Sequence, residues 1–223
     1  MSRRLTAELL GTFLLVFAGC GAMMLGGGTD TTAIALAFGL ALAASGYAFG
    51  PISGGHFNPA VTLGFAAAGR FSAGDALAYI AAQLAGAIVG ATAVFGIAHG
   101  IAGFDPANGF AANGYGAHSP GQYGAMAALL CEAITTFAFV LVVLAATTQR
   151  LSGEFAPLVA GMAFAAIYLV ALKVDGGGAN PARSTATALY QGDWALRELW
   201  AFWALPLAGA ALAGLVQRWF TEK

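Results

Sequence analysis

The chain is 223 residues long, 59% hydrophobic and only 9% charged, with a formal net charge of −1 and a mean hydropathy of +0.78. Soluble domains carry roughly 25% charged residues, so this composition excludes an ordinary water-soluble enzyme. Its nine Lys and Arg, scattered singly or in pairs, exclude a nucleic-acid face.

The N-terminus, "MSRRLTAELLGTFLLVFAGC", has the basic start, apolar run and Cys of a lipoprotein or twin-Arg signal. The run continues to Leu25, Glu8 interrupts it, and a similar run recurs later in the chain, so it reads as an uncleaved first helix. A spanning helix needs about 20 apolar residues. Six stretches qualify: roughly Leu5–Leu25, Thr32–Phe49, Asp75–His99, Tyr123–Thr148, Phe155–Val174 and Trp194–Phe220. Between the second and third lies "GPISGGHFNPAVTLGFAAAGR", and between the fifth and sixth "DGGGANPARSTATALYQG"; both are too short and Gly-rich to span. Cys20 and Cys131 fall in apolar runs and read as packed thiols.

The polar, Gly/Pro-rich stretch 100–122 divides the chain into matching halves. Glu8-x3-Thr12-Phe13 in the first span is echoed by Glu132-x3-Thr136-Phe137 in the fourth. Glu8 precedes Asn58 by 50 residues, and Glu132 precedes Asn180 by 48. The chain therefore reads as one transmembrane channel domain over 1–223, with repeat 1 over about 1–99, a linker over 100–122 and repeat 2 over about 123–223. Three spans per half is odd, so the second copy enters the membrane from the opposite side, a mark of transport proteins. Arg3, Arg4, Arg70, Arg150, Arg218 and Lys223 fall on one side of this layout, which predicts cytoplasmic N- and C-termini. Lys173 and Arg197 lie on the other side, and Arg183 lies inside a short segment.

In each short segment Asn precedes Pro and Ala. Asn is a preferred N-cap and Pro a preferred first helical residue, so helices are expected to start at Pro59 and Pro181. Pro59 to Gly69 gives roughly 16 Å at 1.5 Å per residue, about half of a ~30 Å hydrocarbon core. Two such half-helices from opposite faces meet at the middle, Asn58 to Asn180, each with the positive end of its dipole at the centre. The residues before them, Gly54, Gly55, His56 and Phe57, and Gly176, Gly177, Gly178 and Ala179, are expected to run extended and to offer carbonyls to a lumen. Glu8 and Glu132 read either as proton relays or as braces for loop N–H groups. One per short segment, at matching positions, favours braces. His56 is expected to contribute mainly backbone; with no Cys/His spacing, neither His99 nor His118 reads as a metal ligand. Gly46-x3-Gly50, Gly86-x3-Gly90 and Gly209 to Gly214 permit close helix packing.

"HFNPAVT" and "ANPARS" resemble the two signature boxes of the aquaporin (major intrinsic protein) family, and the resemblance covers essentially the whole chain. It implies an all-α membrane protein of six transmembrane helices plus two re-entrant half-helices in an inverted repeat. The boxes are then Asn58-Pro59-Ala60 and Asn180-Pro181-Ala182, and the four filter positions are Phe38, Tyr168, Gly177 and Arg183. Bacterial water channels usually carry His where this chain has Tyr168, and often Thr where it has Gly177. Ser184, Ala188 and Phe202-Trp203 resemble water-selective members rather than glycerol facilitators. "GTFLLVFAGCG" and "NGYGAHSPG" are similar to bacterial members. The resemblance implies passive single-file water conduction excluding protons and ions, a homotetramer in the bacterial inner membrane, no cofactor and no enzymatic activity. The alternatives are a channel for small neutral solutes such as glycerol, urea, ammonia or peroxide, a coupled transporter, and an adhesive membrane protein with a closed pore.

Overall fold

Asp30 opens the second long helix by accepting the Thr32 and Ala33 N–H groups, and Asn58 and Asn180 open the two short ones. The computed structural model describes residues 1–28, 30–148 and 153–221. Its helices are α1 (Ser2–Leu25), α2 (Thr31–Ser53), α3 (Pro59–Ala67), α4 (Ala73–Ala98), α5 (Ala125–Ala146), α6 (Ala156–Asp175), α7 (Pro181–Gln191), α8 (Asp193–Glu198) and α9 (Ala201–Thr221). No strand occurs among the described residues. Six helical stretches are long and apolar enough to cross a membrane, the sixth formed by α8 and α9 together. Arg150 and Lys223, used above for orientation, lie outside the described residues.

Several boundaries differ from expectation. The second span runs to Ser53 rather than Phe49, through Pro51. Its end is pinned by the Ser53 hydroxyl on Glu8 (2.7 Å) and by the Tyr79 hydroxyl on the Ser53 carbonyl (2.6 Å). The first half-helix has nine residues rather than eleven, ending at Ala67. Gly69, at φ 70°, sends its N–H to Ala66 O while Arg70 N–H reaches Phe65 O, the paired closure that stops a helix at a glycine. The sixth span breaks at Leu199 and Trp200.

α1 packs on α2 and α4, α5 on α6 and α9, and α2 on α6. The halves also exchange their short helices: α3 of the first packs on α9 of the second, and α7 of the second on α4 of the first. Glycine permits these approaches. A Cβ on Gly86 would lie 2.1 Å from the Leu9 carbonyl, and one on Gly209 2.5 Å from that of Ala133, the matching pair in the other half. Gly39 and Gly161 face each other across α2 and α6. Gly50 differs from the expected packing role: it meets nothing within 4 Å and lines a cavity. Large apolar side chains such as Leu40, Leu77, Met126 and Leu212 stay exposed on the outer faces, which suits a lipid surround.

The 100–122 segment is not a free linker. Phe110 is buried, its N–H donates to Gln191 Oε1 at 2.6 Å, and Gln191 Nε2 returns a bond to Ala107 O at 2.8 Å. His118 pairs with Glu198 at 2.6 Å and stacks on Trp194 at 4.1 Å.

Candidate functional site

Asn58 and Asn180 meet at the centre through each other's loops. Asn58 Nδ2 donates to Ala179 O at 2.7 Å, and Asn180 Nδ2 donates to Phe57 O at 3.0 Å. Each carboxamide oxygen is spent on its own helix: Asn58 Oδ1 takes the Ala60 N–H at 2.8 Å, and Asn180 Oδ1 those of Ala182 and Arg183 at 3.1 and 3.3 Å. An amide carries two N–H donors, so one on each Asn is left for a further acceptor.

The loops before the Asn residues are not extended. Gly54, Gly55 and Phe57 have φ of 95°, 69° and 49°; Gly176, Gly177 and Ala179 have 85°, 72° and 57°. Phe57 and Ala179 are non-glycines in left-handed backbone, which is sterically uncommon and persists where surroundings impose it. The two glutamates do so. Phe57 N–H donates to Glu8 Oε2 at 2.7 Å and His56 N–H to Oε1 at 3.0 Å, while Ala179 N–H donates to Glu132 Oε2 at 2.9 Å. Gln83 Nε2, 2.7 Å from Glu8 Oε2, and the Ser53 hydroxyl complete four donors on Glu8. The His56 ring is sealed away, stacked on Phe65 at 4.5 Å with Nδ1 3.1 Å from the Thr62 hydroxyl.

Carbonyl use differs between the loops. No described hydrogen bond engages the carbonyls of Gly54, Gly55 or His56. In the second loop Gly176 O takes Arg183 Nη2 at 3.0 Å, Gly178 O takes the Tyr168 hydroxyl at 3.0 Å, and Ala179 O takes Asn58. A carbonyl has two lone pairs, so these rungs are shared rather than closed.

Phe38, Tyr168, Gly177 and Arg183 come together above this loop. Phe38 and Tyr168 rings lie 4.3 Å apart, and the Arg183 guanidinium lies 5.7 Å from the Phe38 ring centre. A Cβ on Gly177 would sit 2.8 Å from the Tyr168 ring, so the glycine makes room for the tyrosine. Phe38, Tyr168 and Arg183 are each fully buried, so the ring is tightly packed. On the other side of the centre, a cavity of about 450 Å³ reaches Gly54 and Gly55 from the end where Thr147 and Glu154 lie.

Asn113, unassigned by the sequence reading although it lies in "NGYGAHSPG", holds the ring's cation. Its Oδ1 accepts from Arg183 Nη1 and from the Ser184 hydroxyl, the latter at 2.8 Å, while its Nδ2 donates to Asp175 O at 3.2 Å. Gln83 was also missed. A lone carboxamide in an otherwise apolar span was a readable signal.

A family model described as "Major intrinsic protein" matches residues 1–217. The chain is 48% identical to Aquaporin Z of Bradyrhizobium diazoefficiens over 226 aligned residues, covering 99% of this chain and 94% of that protein. Among solved structures it resembles the X-ray structure of the aquaglyceroporin from Plasmodium falciparum, with a TM-score of 0.79 at 24% identity, covering 98% and 94% of the two chains. The inverted pair of half-helices and the full-length match lead to one conclusion: this chain belongs to the major intrinsic protein family and is a multi-pass membrane protein.

Proposed function

We propose that the chain is a passive water channel, with Asn58 and Asn180 at its waist and Phe38, Tyr168, Gly177 and Arg183 as its filter. The observation that carries this reading is the reciprocal Asn58–Ala179 and Asn180–Phe57 bonding, which leaves one amide donor on each Asn. A water oxygen accepting both donors must turn its own hydrogens toward the two pore ends, which breaks a proton wire. The half-helix dipoles add positive potential at the same depth, and the fixed charge of Arg183 repels cations at the ring. The Gly54, Gly55 and His56 carbonyls then pass water between the waist and the cavity beyond. A ring walled by the packed Phe38 and Tyr168 rings and the Arg183 guanidinium is narrow, which favours single-file water over the bulkier glycerol.

In this reading the protein is no enzyme. It sits in the bacterial inner membrane with both termini cytoplasmic, needs no cofactor, and assembles as a homotetramer with one pore per subunit. Stopped-flow shrinkage of proteoliposomes under water and glycerol gradients tests it. Fast water flux with little glycerol flux is expected; comparable glycerol flux would make it a small-neutral-solute channel instead. Proton- or sodium-dependent flux would make it a coupled transporter, and permeability equal to protein-free vesicles a closed adhesive protein.

A further inference from the structure

Arg183 is held by Asn113, and Asn113 belongs to a segment that a second residue grips. Over 113–119 the chain folds back on itself: a Cβ on Gly114 would sit 2.7 Å from both the His118 Cβ and the Trp194 ring. One side of this segment is tied to the end of α6. Asn113 Nδ2 and the Gly114 N–H both donate to Asp175 O, and the Ser119 hydroxyl donates to Val174 O at 2.8 Å. The other side is held by a single carboxylate. Glu198 of α8 is buried; its Oε2 accepts the Tyr115 N–H at 2.9 Å, and its Oε1 lies 2.6 Å from His118 Nδ1. The two oxygens thus bridge the short turn 116–118 from the residue before it to its last residue. Trp194, also of α8, lies flat on the His118 ring at 4.1 Å.

α8 follows α7 with only Gly192 between them, and α7 carries Arg183. The guanidinium of α7 and the carboxylate of α8 therefore grip the same short segment. His118 presses on Gly114, the neighbour of Asn113, so the seat of His118 decides where Asn113 Oδ1 meets Arg183 Nη1 and the Ser184 hydroxyl. We propose that Glu198 is a positioning residue of the filter: by closing on Tyr115 and His118 it sets Asn113, and through Asn113 the aim of the Arg183 guanidinium. Its effect on permeation rests on the channel reading above. Hydrogen bonds to an ionised acceptor are roughly twice as strong as neutral ones, which suits one side chain to hold the whole turn. Removing the carboxylate leaves two donors without their acceptor. The segment then loses its outer hold, and Arg183 keeps Gly176 O on one side but is no longer fixed on the other.

Solid-state NMR of the full chain in proteoliposomes, with isotopically labelled arginine, reads the guanidinium without any transport; the Arg183 signal is the one lost in Arg183→Val. That signal is expected to shift in Glu198→Ala and to stay in place in Glu198→Gln. The glutamine amide oxygen still accepts the Tyr115 N–H, while its N–H donates to Nδ1 of the other histidine tautomer. His118→Phe keeps a ring on Trp194 and loses the nitrogen, so a smaller shift in the same direction is expected, and this variant carries the test if Glu198→Ala does not fold. An unmoved Arg183 signal, or a Glu198→Gln shift as large as that of Glu198→Ala, overturns the proposal. The glycerol-to-water permeability ratio should rise several-fold in Glu198→Ala and no further when Asn113→Ala is added. A role confined to stability lowers both fluxes and leaves the ratio flat. Effects that simply add overturn the route through Asn113. A flat ratio beside a shifted signal overturns the filter assignment of Arg183 rather than its link to Glu198, so the two failures are distinguishable.

Discussion

Arg183 is a buried cation held by neutral acceptors: Asn113 Oδ1, Gly176 O and, at 3.5 Å, the Met23 sulfur and the Thr187 hydroxyl. Its Nε has no partner and remains a donor for a passing solute. Replacing Arg183 with Val removes charge and donors together, so ion conductance or glycerol flux should appear where the wild type shows little. Unchanged selectivity in conductance and stopped-flow measurements would end the filter assignment. Tyr168 tests the same ring from its apolar side. Tyr168→Phe keeps the ring but releases the Gly178 carbonyl from the phenol. Water permeability should rise, read by stopped flow, whereas an unchanged rate would place that carbonyl off the water path. Tyr168→His should likewise shift permeability if this side chain lines the pore.

At the scale of elements, each half-helix depends on a loop that would not hold its shape alone. Four donors converge on Glu8, and burial leaves them no water in exchange. Glu8→Ala would orphan these groups at about 1–3 kcal/mol each, so the melting temperature in detergent should fall sharply. A melting point close to wild type would mean the loop is held by other contacts. Gly177 joins loop to ring in the same way. Gly177→Ala adds a Cβ 2.8 Å from the Tyr168 ring at a φ of 72°, where left-handed backbone costs an L-residue about 1–2 kcal/mol. Water flux should drop, and Tyr168→Ala in the same chain should restore part of it. Strictly additive losses would show that the two positions are not in contact.

Across the whole molecule, the halves lock by trading half-helices, α3 onto α9 and α7 onto α4, with Gly64 and Gly214 in close approach where α3 meets α9, and each half closes its own helix pair on a glycine. Gly86→Leu drives a side chain at the Leu9 carbonyl, where even a Cβ would sit at 2.1 Å. Overpacking typically costs about 1–3 kcal/mol, and here the obstacle is backbone, so the α1–α4 contact should open. Loss of a monodisperse peak in size-exclusion chromatography checks this. A normal profile would show that α1 and α4 can separate without unfolding.

How far the sequence carried follows from which interactions are local. The cap residues Asn58 and Asn180, the prolines after them, the six apolar runs and the matched glutamates all act within a few residues or repeat along the chain. They set the helix starts, the number of spans and the inverted halves before any contact was known. The left-handed backbone at Phe57 and Ala179, the hold of Asn113 on Arg183, and the sharing of three second-loop carbonyls with Arg183, Tyr168 and Asn58 were decided elsewhere. Each joins residues distant in the sequence or overrides a local preference, and so emerges only when the whole chain is packed around them.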